Sequence, residues 1–94
     1  MARIKRLVLD VLKPHQPNAV DFATALADRN ERNRIKLKVI EVDEKTETII
    51  VIVEGDDIDF AEITTCIMEL GGTLHSIDEV DVDNDADCAP GDQS

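Results

Sequence analysis

Hydrophobic and polar positions divide the chain into segments with alternating strand-like and helix-like spacing. Residues 4–12 and 48–54 are rich in β-branched side chains, and residues 34–43 and 73–82 alternate apolar with polar positions. These patterns predict four β-strands. The uninterrupted apolar run from Ile49 to Val53 further predicts a central strand with both faces covered.

Two helices are predicted between these strands. Asn18 is the expected N-cap of the first helix, and Asp56 or Asp57 that of the second. Gly71 and Gly72 provide a stop for the second helix, because glycine adopts the left-handed conformation without strain. Helical spacing places the following apolar residues on the two buried faces: Ala19, Phe22, Ala23 and Leu26 in the first helix, and Phe60, Ile63, Ile67 and Leu70 in the second.

The order β-α-β-β-α-β predicts an α+β, ferredoxin-like fold, with two helices on one face of a four-stranded antiparallel sheet. The opposite face is then open. Either Ile50 and Ile52, or Ile49, Val51 and Val53, lie on it, together with some of Val8, Leu12, Ile40 and Val42. An apolar open face indicates self-association, a small-molecule groove, or a surface covered by the chain's own tail.

Charge is distributed unevenly along the 94 residues. Residues 1–47 hold all ten bases and eight acids, a balance of +2, whereas residues 48–94 hold thirteen acids and no base, a balance of −13. The domain is expected to span residues 1–82 and an acidic, disordered tail residues 83–94. The net charge of −11 argues against nucleic acid and anionic membranes as partners, and no apolar run is long enough for a membrane span.

Charge segregation also predicts how copies of the chain meet. A contact of like surfaces would often appose like charges, whereas a heterologous contact can place a basic strand against an acidic region. The basic strand is the second one, which carries Arg34, Lys36 and Lys38. We therefore expect a homo-oligomer that closes into a ring.

Three motifs resemble a small archaeal family catalogued as domain of unknown function 211. They are LDVLKPH at residues 9–15, EGDDIDF at residues 54–60 and LGGTLHSIDEV at residues 70–80, and the resemblance extends over residues 3–82. It implies a ferredoxin-like fold, an archaeal cytoplasmic source and ring-shaped homo-oligomers. It implies no activity, because none is established for the family.

A metal site is one hypothesis for this chain. If the first and third strands are parallel and the fourth antiparallel to both, one rim of the sheet carries His15, Asp56, Asp57 and His75. Carboxylate oxygens suit a divalent cation such as calcium, and imidazole nitrogens suit zinc. The alternative is structural, with the aspartates capping a helix and His15 solvated in its loop.

Other chemistry finds little support in the sequence. The loop at residues 13–17 has no cysteine for heavy-metal transfer, and its prolines lack the N–H donors that cradle a phosphate. The first and third strands lack the aromatic residues of an RNA-recognition module. Cys66 has no histidine nearby in sequence and is expected to pack as a small apolar residue. We therefore expect no enzyme and no catalytic residue; the alternative is a regulatory, amino-acid-type binding domain with ligand sites between protomers.

Two polar details complete the expectations. Asp10 lies in an otherwise apolar strand and needs a partner. Arg6, which the two-residue strand period places on the same side, or the basic second strand of a neighbouring copy could supply it. Cys66 and Cys88 are the two cysteines, so a structural disulfide is not expected and a reducing cytoplasm is the simpler location.

Overall fold

The computed structural model describes residues 2–84, which form six elements in the predicted order. The elements are β1 (Ala2–Pro14), α1 (Ala19–Arg29), β2 (Arg34–Val42), β3 (Thr46–Glu54), α2 (Phe60–Glu69) and β4 (Thr73–Asn84). The predicted ferredoxin-like α+β fold is therefore confirmed. Asp83 and Asn84, predicted in the tail, belong to β4, and the predicted tail residues 85–94 lie outside the described residues.

The strands form one sheet in the order β2-β3-β1-β4, and every neighbouring pair is antiparallel. Helix α1 returns the chain so that β2 runs in the same direction as β1, and the hairpin after β2 then reverses β3. The premise that the first and third strands are parallel is therefore wrong. Leu9 of β1 lies opposite Val51 of β3, and Val51 lies opposite Leu37 of β2.

Alternation along β1 and β3 builds the core on one face of the sheet only. Buried side chains of these two strands pack against Phe22 and Leu26 of α1 and Ile63 and Ile67 of α2. The strand members of this core are Leu7, Leu9, Val11, Ile49, Val51 and Val53. Each large aliphatic side chain buried in this way contributes roughly 1.5–3 kcal/mol.

The same alternation decides which residues lie on the open face. Ile50 and Ile52 of β3 point away from the helices, as do Val8 and Leu12 of β1, because they alternate with the buried positions. The strand β3 is central in the sheet, as predicted. Its second face is nevertheless uncovered by the helices, so the expectation of two covered faces is wrong.

The N-cap of α1 is the residue predicted from the sequence, whereas the N-cap of α2 is a different residue. The Asn18 side chain accepts a hydrogen bond from the Asp21 amide at 2.8 Å, as predicted. In α2 the N-cap is Asp59, which accepts from the Glu62 amide at 3.1 Å, and not Asp56 or Asp57. The helix begins later because the Gly55 and Ile58 amides first donate to β1 carbonyls, at 3.1 and 2.9 Å.

No helix within residues 2–84 is long and apolar enough to cross a membrane.

Substitution of Gly71 tests whether this glycine is needed to end α2. Its φ is +88°, a conformation that costs a residue with a Cβ atom about 1–2 kcal/mol, and an added Cβ would lie 3.3 Å from Cγ of Pro14. We expect Gly71→Ala to lower the free energy of unfolding in urea by about 1–2 kcal/mol. Gly71→Asn is the control and should cost less, because asparagine tolerates this conformation. An alanine variant as stable as the wild type would contradict this assignment.

Candidate functional site

The four predicted metal ligands lie at two opposite ends of the sheet. Because β1 is antiparallel to both neighbours, its end at Pro14 lies beside the starts of β3 and β4, and its start lies beside the end of β3. His15 and His75 are therefore at one end, and Asp56 and Asp57 are at the other. The structure therefore does not bring these four residues together in one site. Nowhere in residues 2–84 are three or more His, Cys, Asp or Glu side chains grouped so that they could hold a metal ion.

His15 forms part of a polar network that joins the β1–α1 loop to the β2–β3 hairpin. Its Nδ1 lies 3.0 Å from a carboxylate oxygen of Glu47, and its Nε2 lies 2.9 Å from the Glu44 carbonyl oxygen. Both partners are acceptors, so the geometry favours the doubly protonated imidazolium. The hydrogen bond to Glu47, followed by that to the Glu44 carbonyl, raises the pKa of His15.

Lys13 occupies the buried side of the same network. Its side chain is 0% exposed, and its ammonium group donates to the Pro14 carbonyl at 2.8 Å and to Glu47 at 3.1 Å. The ammonium also lies 5.9 Å from the centre of the Phe22 ring, within the range of a cation–π interaction. Hydrogen bonds from His15 and then Lys13 lower the pKa of Glu47. The network is thus a structural ion pair between the buried Lys13 ammonium and the Glu47 carboxylate, to which the partly exposed His15 is hydrogen-bonded.

Asp56 is engaged by bases at the other end of the sheet. Its carboxylate lies 2.8 Å from the Lys5 ammonium and 3.6 Å from the Arg3 guanidinium. The hydrogen bond from Lys5 is the main reason that the pKa of Asp56 is lowered. Asp56 therefore fixes the β3–α2 loop to β1, and Asp57 is exposed beside it.

His75 and Asp10 both belong to the open face. With Leu12 and Thr48 they line a shallow hollow of about 220 Å³. The predicted pairing of Asp10 with Arg6 is wrong, because the Arg6 guanidinium donates to Glu54 and Glu79. Asp10 instead lies between Ile50 of β3 and Ser76 of β4.

The open face carries a gradient of charge from one edge to the other. Its central strands carry the apolar side chains of Val8, Leu12, Ile50 and Ile52, beside Asp10 and the ion pair of Arg6 with Glu54. On β2 the open-face positions form what we call the basic row: Arg34, Lys36 and Lys38. On β4 they form what we call the acidic row: Glu79, Asp81 and Asp83. One sheet therefore presents a positive edge and a negative edge about 14 Å apart, three strand spacings.

The two charged strands are the edges of the sheet formed by residues 2–84. Among these residues, one side of β2 and one side of β4 have no neighbouring strand. On the helix side of these edges, Val39, Val80 and Val82 are 44%, 49% and 49% exposed. An edge with free N–H and C=O groups and exposed valines is a template for pairing with another strand.

Sequence reasoning missed the network of Lys13 and Glu47. Lys13 continues the two-residue period of Leu7, Leu9 and Val11, and that period was the available signal that its side chain points into the core. The predicted strand begins at residue 48, whereas Thr46 and Glu47 are already the first residues of β3. The Glu47 carboxylate thus faces the same side of the sheet as Lys13, its register partner.

Comparison with known proteins agrees with the resemblance seen in the sequence. A model of the family DUF211, described as uncharacterized ArCR, matches residues 5–85. An uncharacterized protein of Methanocaldococcus jannaschii is 46% identical over 80 residues, which cover 85% of this chain and 82% of that protein. The suspected family is confirmed.

The His15 network predicts a stability that depends on pH. Because the pKa of His15 is raised in the folded state, its contribution is complete below the unfolded-state pKa of about 6.5. That contribution is lost as pH rises through the folded-state pKa. The difference in free energy of unfolding between wild type and His15→Ala should therefore shrink as the pH rises from below about 6.5 through the raised folded-state pKa.

Urea unfolding at a series of pH values measures this difference. His75→Ala is the matched control, because it removes a histidine outside the network. A wild-type advantage over His15→Ala that stays constant or grows with pH contradicts the assignment.

Proposed function

The chain belongs to the DUF211 family of uncharacterized proteins, and from its sheet surfaces we propose that it is a non-enzymatic, homo-oligomeric scaffold or binding protein. Copies associate through the β2 edge of one protomer and the β4 edge of the next. Repetition of this contact around an axis closes a ring. The expected location is the cytoplasm, where the free thiol of Cys66 stays reduced.

The observation that carries this proposal is the opposite charge of the two open edges. Two β2 edges would bring the basic rows together, and two β4 edges would bring the acidic rows together, so both like contacts are repulsive. A β2 edge against a β4 edge is attractive. The only favourable edge contact is therefore heterologous, and a heterologous contact generates rings or filaments and not isolated dimers.

The reactive side chains favour a structural role over catalysis. Cys66 is 3% exposed, and burial raises the pKa of its thiol, so the nucleophilic thiolate is disfavoured. Lys13 is sealed in the core against Glu47. Both ring nitrogens of His15 form structural hydrogen bonds.

The alternative function is regulatory binding of a small, amino-acid-type molecule. The hollow lined by Asp10, Leu12, Thr48 and His75 favours it, because an apolar surface with a few convergent polar groups is typical of ligand sites. That hollow lies on the open face and is shallow, so a neighbouring protomer would have to complete it. A chain that remains a 10.4 kDa monomer would favour this alternative.

Reversal of the basic row tests the proposal. We expect the wild-type chain at micromolar concentration to scatter light as an oligomer, with a mass several times that of one chain. Lys36→Glu combined with Lys38→Glu should lower this mass, because it makes both edges acidic and each contact repulsive. Light scattering coupled to size-exclusion chromatography measures the change at low and at high salt.

Lys45→Glu combined with Arg32→Glu, two exposed bases in loops, is the matched control. It changes the net charge by the same amount outside the basic row and should leave the mass unchanged. If the Lys36 and Lys38 reversal leaves oligomer size unaltered at both salt concentrations, the charge argument is wrong.

A further inference from the structure

We propose that β2 and the β4 strand of a second copy join in one defined antiparallel register, which continues the sheet from protomer to protomer. In this register Arg34 lies opposite Asp83, Lys36 opposite Asp81 and Lys38 opposite Glu79. On the other face Ile35 lies opposite Val82, and Leu37 lies opposite Val80. The inference rests on the proposed function and specifies the partner surface that the basic row recognises.

The directions of β2 and β4 allow this pairing while the open faces of the two protomers stay on the same side of the joined sheet. Within one protomer β2 runs with β1, whereas β4 runs against it, so β2 and β4 are antiparallel. A second copy placed beside the first in the same orientation therefore presents β4 antiparallel to β2. Its open face also stays on the same side, which aligns the acidic row with the basic row.

Side-chain alternation in the two segments is complementary at every position. Residues 34–38 read base-apolar-base-apolar-base, and residues 79–83 read acid-apolar-acid-apolar-acid. Directly opposite residues in an antiparallel pair interact most strongly, and opposite charges there are stabilising. Within residues 34–38 and 79–83 the proposed register makes three such charge pairs, and a shift of two residues in either direction leaves two. A shift of one residue puts charges against the apolar side.

The positions of β-bulges select the same segments. The bulge in β2 falls between Val39 and Glu41, beyond the basic row. The register shifts that add a residue to β4 fall at His75 and Asp78, whereas the shift between Ile4 and Arg6 adds its residue to β1 and leaves residues 79–84 continuous. Because bulges disrupt pairing along an edge, the regular stretches 34–39 and 79–84 are the ones suited to accept another strand.

Pairing would also cover the exposed apolar side chains at the edges. Val80 and Val82 are each 49% exposed in the protomer, and Ile35 and Leu37 are only partly buried at the rim of the core. In the proposed register these four residues meet on the helix side of the joined sheet. The core of each protomer then continues into the next.

Cysteine cross-linking between two chains tests the register. Both chains carry Cys66→Ala and Cys88→Ser; one adds Leu37→Cys and the other Val80→Cys. Directly opposite Cα atoms are about 4.5–5.5 Å apart, within the disulfide range of about 4.4–6.8 Å. Under mild glutathione oxidation we expect a covalent heterodimer, seen on a non-reducing gel, to form several-fold faster than with Val82→Cys. That diagonal partner lies about 7–8 Å away.

A second pair of cysteines is the control for a structural change caused by the first pair at its own position. Ile35→Cys should cross-link to Val82→Cys and discriminate against Val80→Cys in the same way. A chain that carries both Lys36→Asp and Asp81→Lys should retain the wild-type oligomer mass, whereas either substitution alone should lower it.

The outcomes separate the register from the proposed function. If the wild type is an oligomer but the diagonal cysteine pairs react as fast as the opposite pairs, the register is wrong and the oligomeric function stands. If no cross-link forms and the wild type scatters light as a monomer, both are wrong. Preferential reaction of both opposite pairs, together with rescue by the charge swap, supports the register.

Discussion

Within residues 2–84 the sheet is covered on one face only, and this is the constraint on which the rest of the structure depends. Helices α1 and α2 pack against the same side, so alternate residues of each strand are committed either to the core or to the open face. Leu9 and Val51 are buried because they face the helices, and the same alternation sends Ile50 and Ile52 to the other side. The charged rows on β2 and β4 result from this division, because their apolar neighbours are held on the helix side.

The distribution of charge resolves a problem that open sheets share. An exposed edge strand invites uncontrolled pairing, and proteins commonly block it with charges or bulges. Here each edge strand has both charges and a bulge. The charges of β2 and β4 are opposite in sign, and the bulges leave one regular stretch on each strand. Pairing between identical edges is repelled and pairing between unlike edges is favoured. The net charge of −11 opposes non-specific contact between copies, and the opposite charges of the two edges favour contact between unlike edges.

The fold could be predicted from the sequence because its signals are local. Strand and helix periods, the Asn18 cap and the glycine stop at residues 71–72 each act within a few residues. The direction of β3 relative to β1 is not a local property, because it follows from both the helical crossover to β2 and the hairpin after β2. The incorrect premise that β1 and β3 are parallel placed Asp56 and Asp57 beside the histidines. The cap of α2 also depended on a distant contact, because backbone bonds from Gly55 and Ile58 to β1 delay the helix to Asp59.

Hydrogen exchange along the two edge strands tests the account most directly. Within residues 2–84 the outward-facing amides of β2 and β4 have no neighbouring strand, so they should exchange rapidly in a monomer. The account predicts that amides in residues 34–39 and in residues 79–84 become protected together as protein concentration rises, while α1 and α2 change little. Oligomers in which both edges still exchange at the rate of the dilute chain would contradict it.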